Sequence, residues 1–194
     1  MKSIVFLFTS LLAFGCAPAP VEIGTPSYPK CILLIRHAEK PATAEMSVHL
    51  NDAGKKRAES LVGLFEKSDS RPEPFAKPDA LFATKNTSKS HRPIETLEPL
   101  GKALNQKIHD HNEHDDVDGF AKYLFDTPKY KDKTLLVCWH HSTIPALAKK
   151  LGIADPPKWA DDVFDRVWEI TFDSNGKATL KDRPQHLMPG DGEK

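Results

Sequence analysis

Three apolar runs in this chain end in side chains that can do chemistry. Residues 31–35 run into Arg36 and His37, residues 79–84 lead to a polar stretch holding Arg92, and residues 134–139 end at His140 and His141. A guanidinium is a rigid fork of donors that matches anionic oxygens. An imidazole changes its charge near neutral pH. Gathered together, such groups suit binding an anion and acting on it. Taken singly they mean little: Arg36 could pair with any nearby carboxylate, and His37 could be a loop residue.

What decides between these readings is whether the chain brings the groups together. Each run is short, rich in Leu, Ile or Val, and followed by a polar or Pro-containing loop, the pattern of a strand buried on both faces. Helices fall between them. Ala58, Leu61, Val62 and Phe65 recur at i, i+3, i+4 and i+7, with Asn51 or Asp52 as cap. Pro93 suits the first turn of a helix that continues through Leu97, Leu100 and Leu104. Residues 119–125 look helical. A further helix follows Ser142 or Thr143, with Pro145 in its first turn and Ile144, Leu147, Ala148 and Leu151 on one face. Residues 107–109 suit a short edge strand, and 109–118, acidic and histidine-rich, a solvated loop. Residues 166–172 alternate like a half-exposed strand, Asn175-Gly176 marks a hairpin turn, and 178–180 return.

Strand and helix alternate, so the fold class is α/β: a three-layer sandwich, a mostly parallel sheet with helices on both faces. Ligands of such sheets bind beyond the carboxyl ends of the strands. Arg36, His37, Arg92 and one of His140 and His141 are therefore expected to meet at one edge. Successive strand residues point to opposite faces, so only one of the last two can join them. The level register also separates Cys31 from Cys138 by about four residues, or ~13 Å. That is too far for a disulfide, and free thiols are expected.

Composition narrows the class. Lys+Arg 27 against Asp+Glu 27 leaves no net charge and no basic patch, which speaks against nucleic acid as a partner. Hydrophobic content of 39% is that of a globular protein with a real core. No internal repeat or glycine-rich phosphate loop is present. Residues 1–16 have the positive start, short apolar core and small terminal residues of a secretory signal. Gly15-Cys16 resembles a lipoprotein cleavage site, which would lipidate Cys16 and attach the chain to a membrane. The expected location is therefore exported: periplasmic, anchored at the outer membrane, or secreted. Residues 17–29 form a proline-rich linker, 30–183 the folded domain, and 184–194 an irregular tail.

With these elements in place, four segments in order resemble the histidine phosphatase superfamily, the phosphoglycerate-mutase-like proteins. Arg36-His37-Ala38-Glu39 is similar to its Arg-His-Gly-Glu signature. Leu50-Asn51-x-x-Gly54-x-x-Arg57-Ala58 is similar to its first helix start, and Arg92-Pro93-Ile94-Glu95-Thr96 to its second arginine segment. Trp139-His140-His141-Ser142 resembles the segment that supplies the second histidine. The resemblance implies a phosphatase acting on a small-molecule phosphate ester, with His37 as nucleophile and a phosphohistidine intermediate. Arg36 and Arg92 would hold the phosphate. The second histidine would be His140 by the commoner spacing, or His141 in members with a shorter turn. Amides of the helix starting near Ser142 would point at the same anion. The proton for the leaving group would come from Glu113, Asp115 or Asp116, or from Glu39, for which a salt bridge to a neighbouring helix is an equal alternative. No metal or other cofactor is required. Short connections leave little for a lid, which disfavours mutase chemistry.

Two rivals remain at this level. His109, His111 and His114 have the His-x-His-x-x-His spacing of binuclear zinc hydrolases, and His140 or His141 could complete such a site. Alternatively the chain is an inactive member that binds a phosphorylated ligand. Trp139, Trp159 and Trp168 read as core or pocket rim.

Overall fold

The structure, a computed structural model, describes residues 27–42 and 47–192. The expected signal segment, Cys16 and most of the linker lie outside these residues. Six strands form one sheet: β1 (Cys31–Arg36), β2 (Ala80–Thr84), β3 (Ile108–Asn112), β4 (Thr134–Trp139), β5 (Arg166–Phe172) and β6 (Ala178–Pro184). Their order is β3-β2-β4-β1-β5-β6. The first four are mutually parallel where they pair, while β5 runs antiparallel to both β1 and β6. The sheet is thus mostly parallel, as the alternation of elements requires.

Four α-helices cover it: α1 (Asp52–Ser60), α2 (Arg92–Leu104), α3 (Val117–Phe125) and α4 (Ile144–Lys150). Strand alternation sorts the core into two layers. Ile32, Leu34, Leu135, Val137 and Trp139 face α3 and α4, where Trp159 and Trp168 also pack. Leu33, Ile35, Leu136 and Cys138 face α2 and the segment after α1. All three tryptophans are core. Among the described residues, no helix is long and apolar enough to cross a membrane.

Several details depart from the sequence pattern. The helix expected to continue through Phe65 tightens at Leu61 into a 3-10 turn, Leu61–Phe65. At three residues per turn Leu61 and Leu64 share a face, and Val62, expected in the apolar stripe, is exposed. Residues 110–112, expected in a loop, extend β3, because backbone pairing with β2 at the sheet edge needs no apolar side chains. The return strand β6 runs on to Pro184, pairing with β5 along its whole length. Beyond it Gln185 is buried, and the side chain of Asp191 is only 4% exposed. At the other end, Tyr28 packs on Phe125 and Phe172.

The register expected from level histidines is present. Ile35 pairs with Cys138 and Arg36 with Trp139, leaving Cys31 four places away from its would-be partner. Both thiols are free. Burial pushes the Cys31 thiol up to about 12, and Cys138 is also raised.

Candidate active site

Arg36 and Trp139 stand level at the ends of β1 and β4, and the next residues, His37 and His140, follow in step. The His37 N–H donates to the Trp139 carbonyl at 3.0 Å. The two adjacent histidines take different places. His140 falls on the parity of Cys138, the side of α2, and its ring lies 5.4 Å from that of His37. His141 falls on the parity of Trp139, with Arg36. It meets Asp161 at 3.1 Å through Nε2.

His37 is buried, and its Nδ1 lies 2.7 Å from the Ala38 carbonyl. A carbonyl can only accept, so Nδ1 carries the proton and Nε2 presents a bare lone pair. Burial, reinforced by Arg36, His140 and Arg92, holds this imidazole well below the usual histidine range. It is therefore neutral at pH 7, the state a nitrogen nucleophile needs. His140 is pushed down to about 4, first by burial and then by His114, Arg92, His141 and Arg36. An arriving dianion would reverse the charge part of that shift.

Arg36 is fixed from one side. Its Nη1 donates to the carbonyls of Asp161 at 2.6 Å, Val163 at 3.0 Å and Ala160 at 3.3 Å. Phe164 stacks on the guanidinium at 3.8 Å. Nε and Nη2 are buried without a partner. Burial brings this arginine down to about 10. A desolvated cation with two unused donors is costly unless a ligand takes them. Arg92, at the start of α2, donates to the Ser47 carbonyl at 3.2 Å, and its Nε is also buried without a partner. It is near enough to lower the basicity of Arg36, His37 and His140. The four groups expected at one sheet edge do converge there.

The supporting residues explain the spacing of the motifs. Thr96 Oγ1 donates to the Arg92 carbonyl at 2.7 Å and accepts from the Ala38 N–H at 2.9 Å, which ties the turn after His37 to α2. Asn51 caps α1 by accepting from the Gly54 N–H at 2.8 Å, and its amide donates to the Lys40 carbonyl at 2.9 Å. A Cβ on Gly54 would stand 2.3 Å from the Glu39 carbonyl oxygen, so no other residue fits without displacing backbone. Arg57 meets Glu39 at 2.8 Å and Asp191 at 2.9 Å. Burial opposes the charge on Arg57, but these two carboxylates outweigh it and hold its pKa above the ordinary value.

Three of the four candidate acids have partners of their own. Glu39 takes the salt bridge with α1 rather than a place beside His37. Glu113 pairs with Lys85 at the surface, and Asp116 caps α3. The helix near Ser142 differs from expectation too: α4 starts at Ile144, and the N–H groups of Thr143 and Ile144 both donate to the His140 carbonyl instead of facing the pocket. The zinc trio also separates. His109 stacks on Phe82 at the sheet edge, whereas His114 turns to His140 at 5.1 Å. Among the described residues, the donor atoms of His109, His111 and His114 do not gather. The loop 160–164 was missed in the sequence. Its isolated Phe164 gave no periodic signal, and its carbonyls hold Arg36 by backbone alone.

Sheet order and two-layer helix cover give the fold of solved histidine phosphatase structures. No family model and no curated protein matches the chain, but solved structures do. The protein histidine phosphatase SixA complexed with tungstate superposes with a TM-score of 0.59 at 17% identity, covering 80% of this chain and 97% of that one. Phosphoglycerate mutase from Bacillus anthracis gives 0.53 at 15%, covering 81% and 94%. A mycobacterial glucosyl-3-phosphoglycerate phosphatase gives 0.50 at 12%, covering 78% and 97%. The chain thus shares the fold of both phosphatases and a mutase.

Proposed function

We propose that this protein is a phosphatase that hydrolyses phosphate monoesters through a phosphohistidine on His37. The observation that carries the reading is the protonated Nδ1 of His37, turned to the Ala38 carbonyl, which leaves Nε2 bare beside His140, Arg36 and Arg92. Nε2 attacks phosphorus while the bond to the ester oxygen breaks, and that oxygen takes its proton from solvent water as it leaves. Water then attacks the phosphohistidine, releasing inorganic phosphate and restoring His37. Arg36 and Arg92 neutralise the equatorial oxygens, whose charge is the main obstacle in phosphoryl transfer. His140 takes up a proton as the dianion binds and donates to it. Phosphatases and a mutase share this fold. Export, with attachment through lipidated Cys16, belongs to the same proposal. Metabolic labelling with a fatty acid, lost in Cys16→Ser, checks it.

The test is phosphate release from a panel of phosphorylated metabolites by the parent protein and His37→Ala. The variant should lose turnover with its circular dichroism unchanged, and the parent should trap an acid-labile phosphoryl group after brief mixing. Retained turnover in the variant refutes the mechanism. A folded parent that binds phosphate esters without ever releasing phosphate would identify a ligand-binding protein instead.

A further inference from the structure

Outside the groups assigned above, His49, His91 and Glu95 draw together. His91 and Glu95 lie four residues apart at the start of α2, on one face of the helix. His49 comes from the segment just before α1, which is fastened to α2 at three points. The His91 N–H donates to the Val48 carbonyl at 2.9 Å, the Leu50 N–H donates to Glu95 Oε2 at 2.9 Å, and His49 Nδ1 meets Glu95 Oε1. The two imidazole rings sit 5.1 Å apart, nearly perpendicular. One donor atom from each of the three residues lies within 4.8 Å of the other two. An ion pair of His49 with Glu95 accounts for two of them but not for His91, whose side chain makes no capping bond.

We propose that His49, His91 and Glu95 bind a divalent transition metal of borderline softness, such as Zn2+. Two imidazoles and one carboxylate suit that class of ion and leave a fourth position for water. Donors around a tetrahedral ion with bonds of about 2.0–2.1 Å stand roughly 3.4 Å apart. No pair therefore needs to close by more than about 1.4 Å, and His49, with its side chain 55% exposed, is free to make that movement. His49 and Glu95 line a cavity of ≈ 610 Å³ between α1 and α2, which gives a hydrated ion access. The segment that carries His49 also carries the Ser47 carbonyl, the acceptor for Arg92 Nη1 at 3.2 Å. The ion would clamp that segment to α2 and so steady the seat of Arg92, with no part in the reaction at phosphorus.

This proposal is independent of the phosphatase reading, and its test needs no turnover. The untagged full chain, freed of metal, is titrated with Zn2+ against a chromophoric chelator, and with Co2+ followed by visible absorption. One equivalent should bind, with a tetrahedral cobalt spectrum. Affinity should fall by at least about tenfold in each of His49→Ala, His91→Ala and Glu95→Gln. Glu95→Gln keeps an acceptor for the Leu50 N–H, and His49 is exposed, so neither change should unfold the protein. No binding, binding unchanged in these variants, or binding lost instead in His111→Ala overturns the proposal.

Discussion

Replacing Gly54 with Ala sets two physical effects of opposite sign against each other. Alanine is the better helix former by about 1 kcal/mol in a helix interior, and Gly54 is the third residue of α1. Against that, the new Cβ would lie 2.3 Å from the Glu39 carbonyl oxygen and 2.9 Å from its nitrogen. Both atoms are backbone, so α1 and the turn after His37 must part by about 1 Å. Overpacking of this kind costs roughly 1–3 kcal/mol, and this case lies at the upper end. The separation also loosens the Asn51 N–H bond to the Glu39 carbonyl, now 3.1 Å, at about 1 kcal/mol. The net loss is about 3 kcal/mol, or a fall in Tm of roughly 6–12 °C for a chain of this length. Urea unfolding measures it as a lower midpoint at unchanged slope. The exposed neighbour serves as control: Ala53→Gly should cost no more than about 1 kcal/mol. A Gly54→Ala protein as stable as the parent, or more so, refutes the claim that close backbone approach fixes this glycine.

Arg57→Ala leaves the carboxylates of Glu39 and Asp191 buried without their cation, and should cost about 3–5 kcal/mol in equilibrium unfolding; a loss below 1 kcal/mol would mean the network contributes nothing. His37 and His140 have folded pKa values below that of free histidine, so the unfolded chain binds more protons. Stability present above pH 6.5 should therefore fall as pH drops toward about 4. His140 alone contributes at most about 3 kcal/mol of that fall, and His140→Gln should flatten it; an unaltered slope between the two proteins refutes the assignment. Glu39 and Glu113 are paired with Arg57 and Lys85, so neither stands free to protonate the leaving oxygen. Aryl phosphates should then turn over about 10²-fold faster than alkyl phosphates, and equal rates would reveal an acid at the pocket.

The core strands were legible because burial on both faces leaves an uninterrupted apolar run, as in 31–35 and 134–139. The convergence of Arg36, His37, Arg92 and His140 followed from the rule that parallel strands deliver their carboxyl ends to one edge. Telling where His140 and His141 each lie needed the register, since alternation alone says only that they differ. What stayed hidden was polar structure held by backbone or by charge. The sequence of β3 past Ile108 is His-Asp-His-Asn, which carries no strand signal, yet it pairs with β2 at the edge. Val62 misled because helical spacing does not reveal where an α-helix tightens. Glu39 could be read as acid or salt bridge, and the position of Arg57 shows the salt bridge. The burial of Asp191 is a long-range event between charged residues, which no local pattern encodes.

The bond between Arg57 and Asp191 spans 134 residues of chain. Synthesis runs from the N-terminus, so the guanidinium that braces Glu39, two places from His37, is made long before its second counter-charge exists. A nascent chain stalled short of residue 191 can have its sheet and both arginines of the pocket, yet it must keep Arg57 half-compensated.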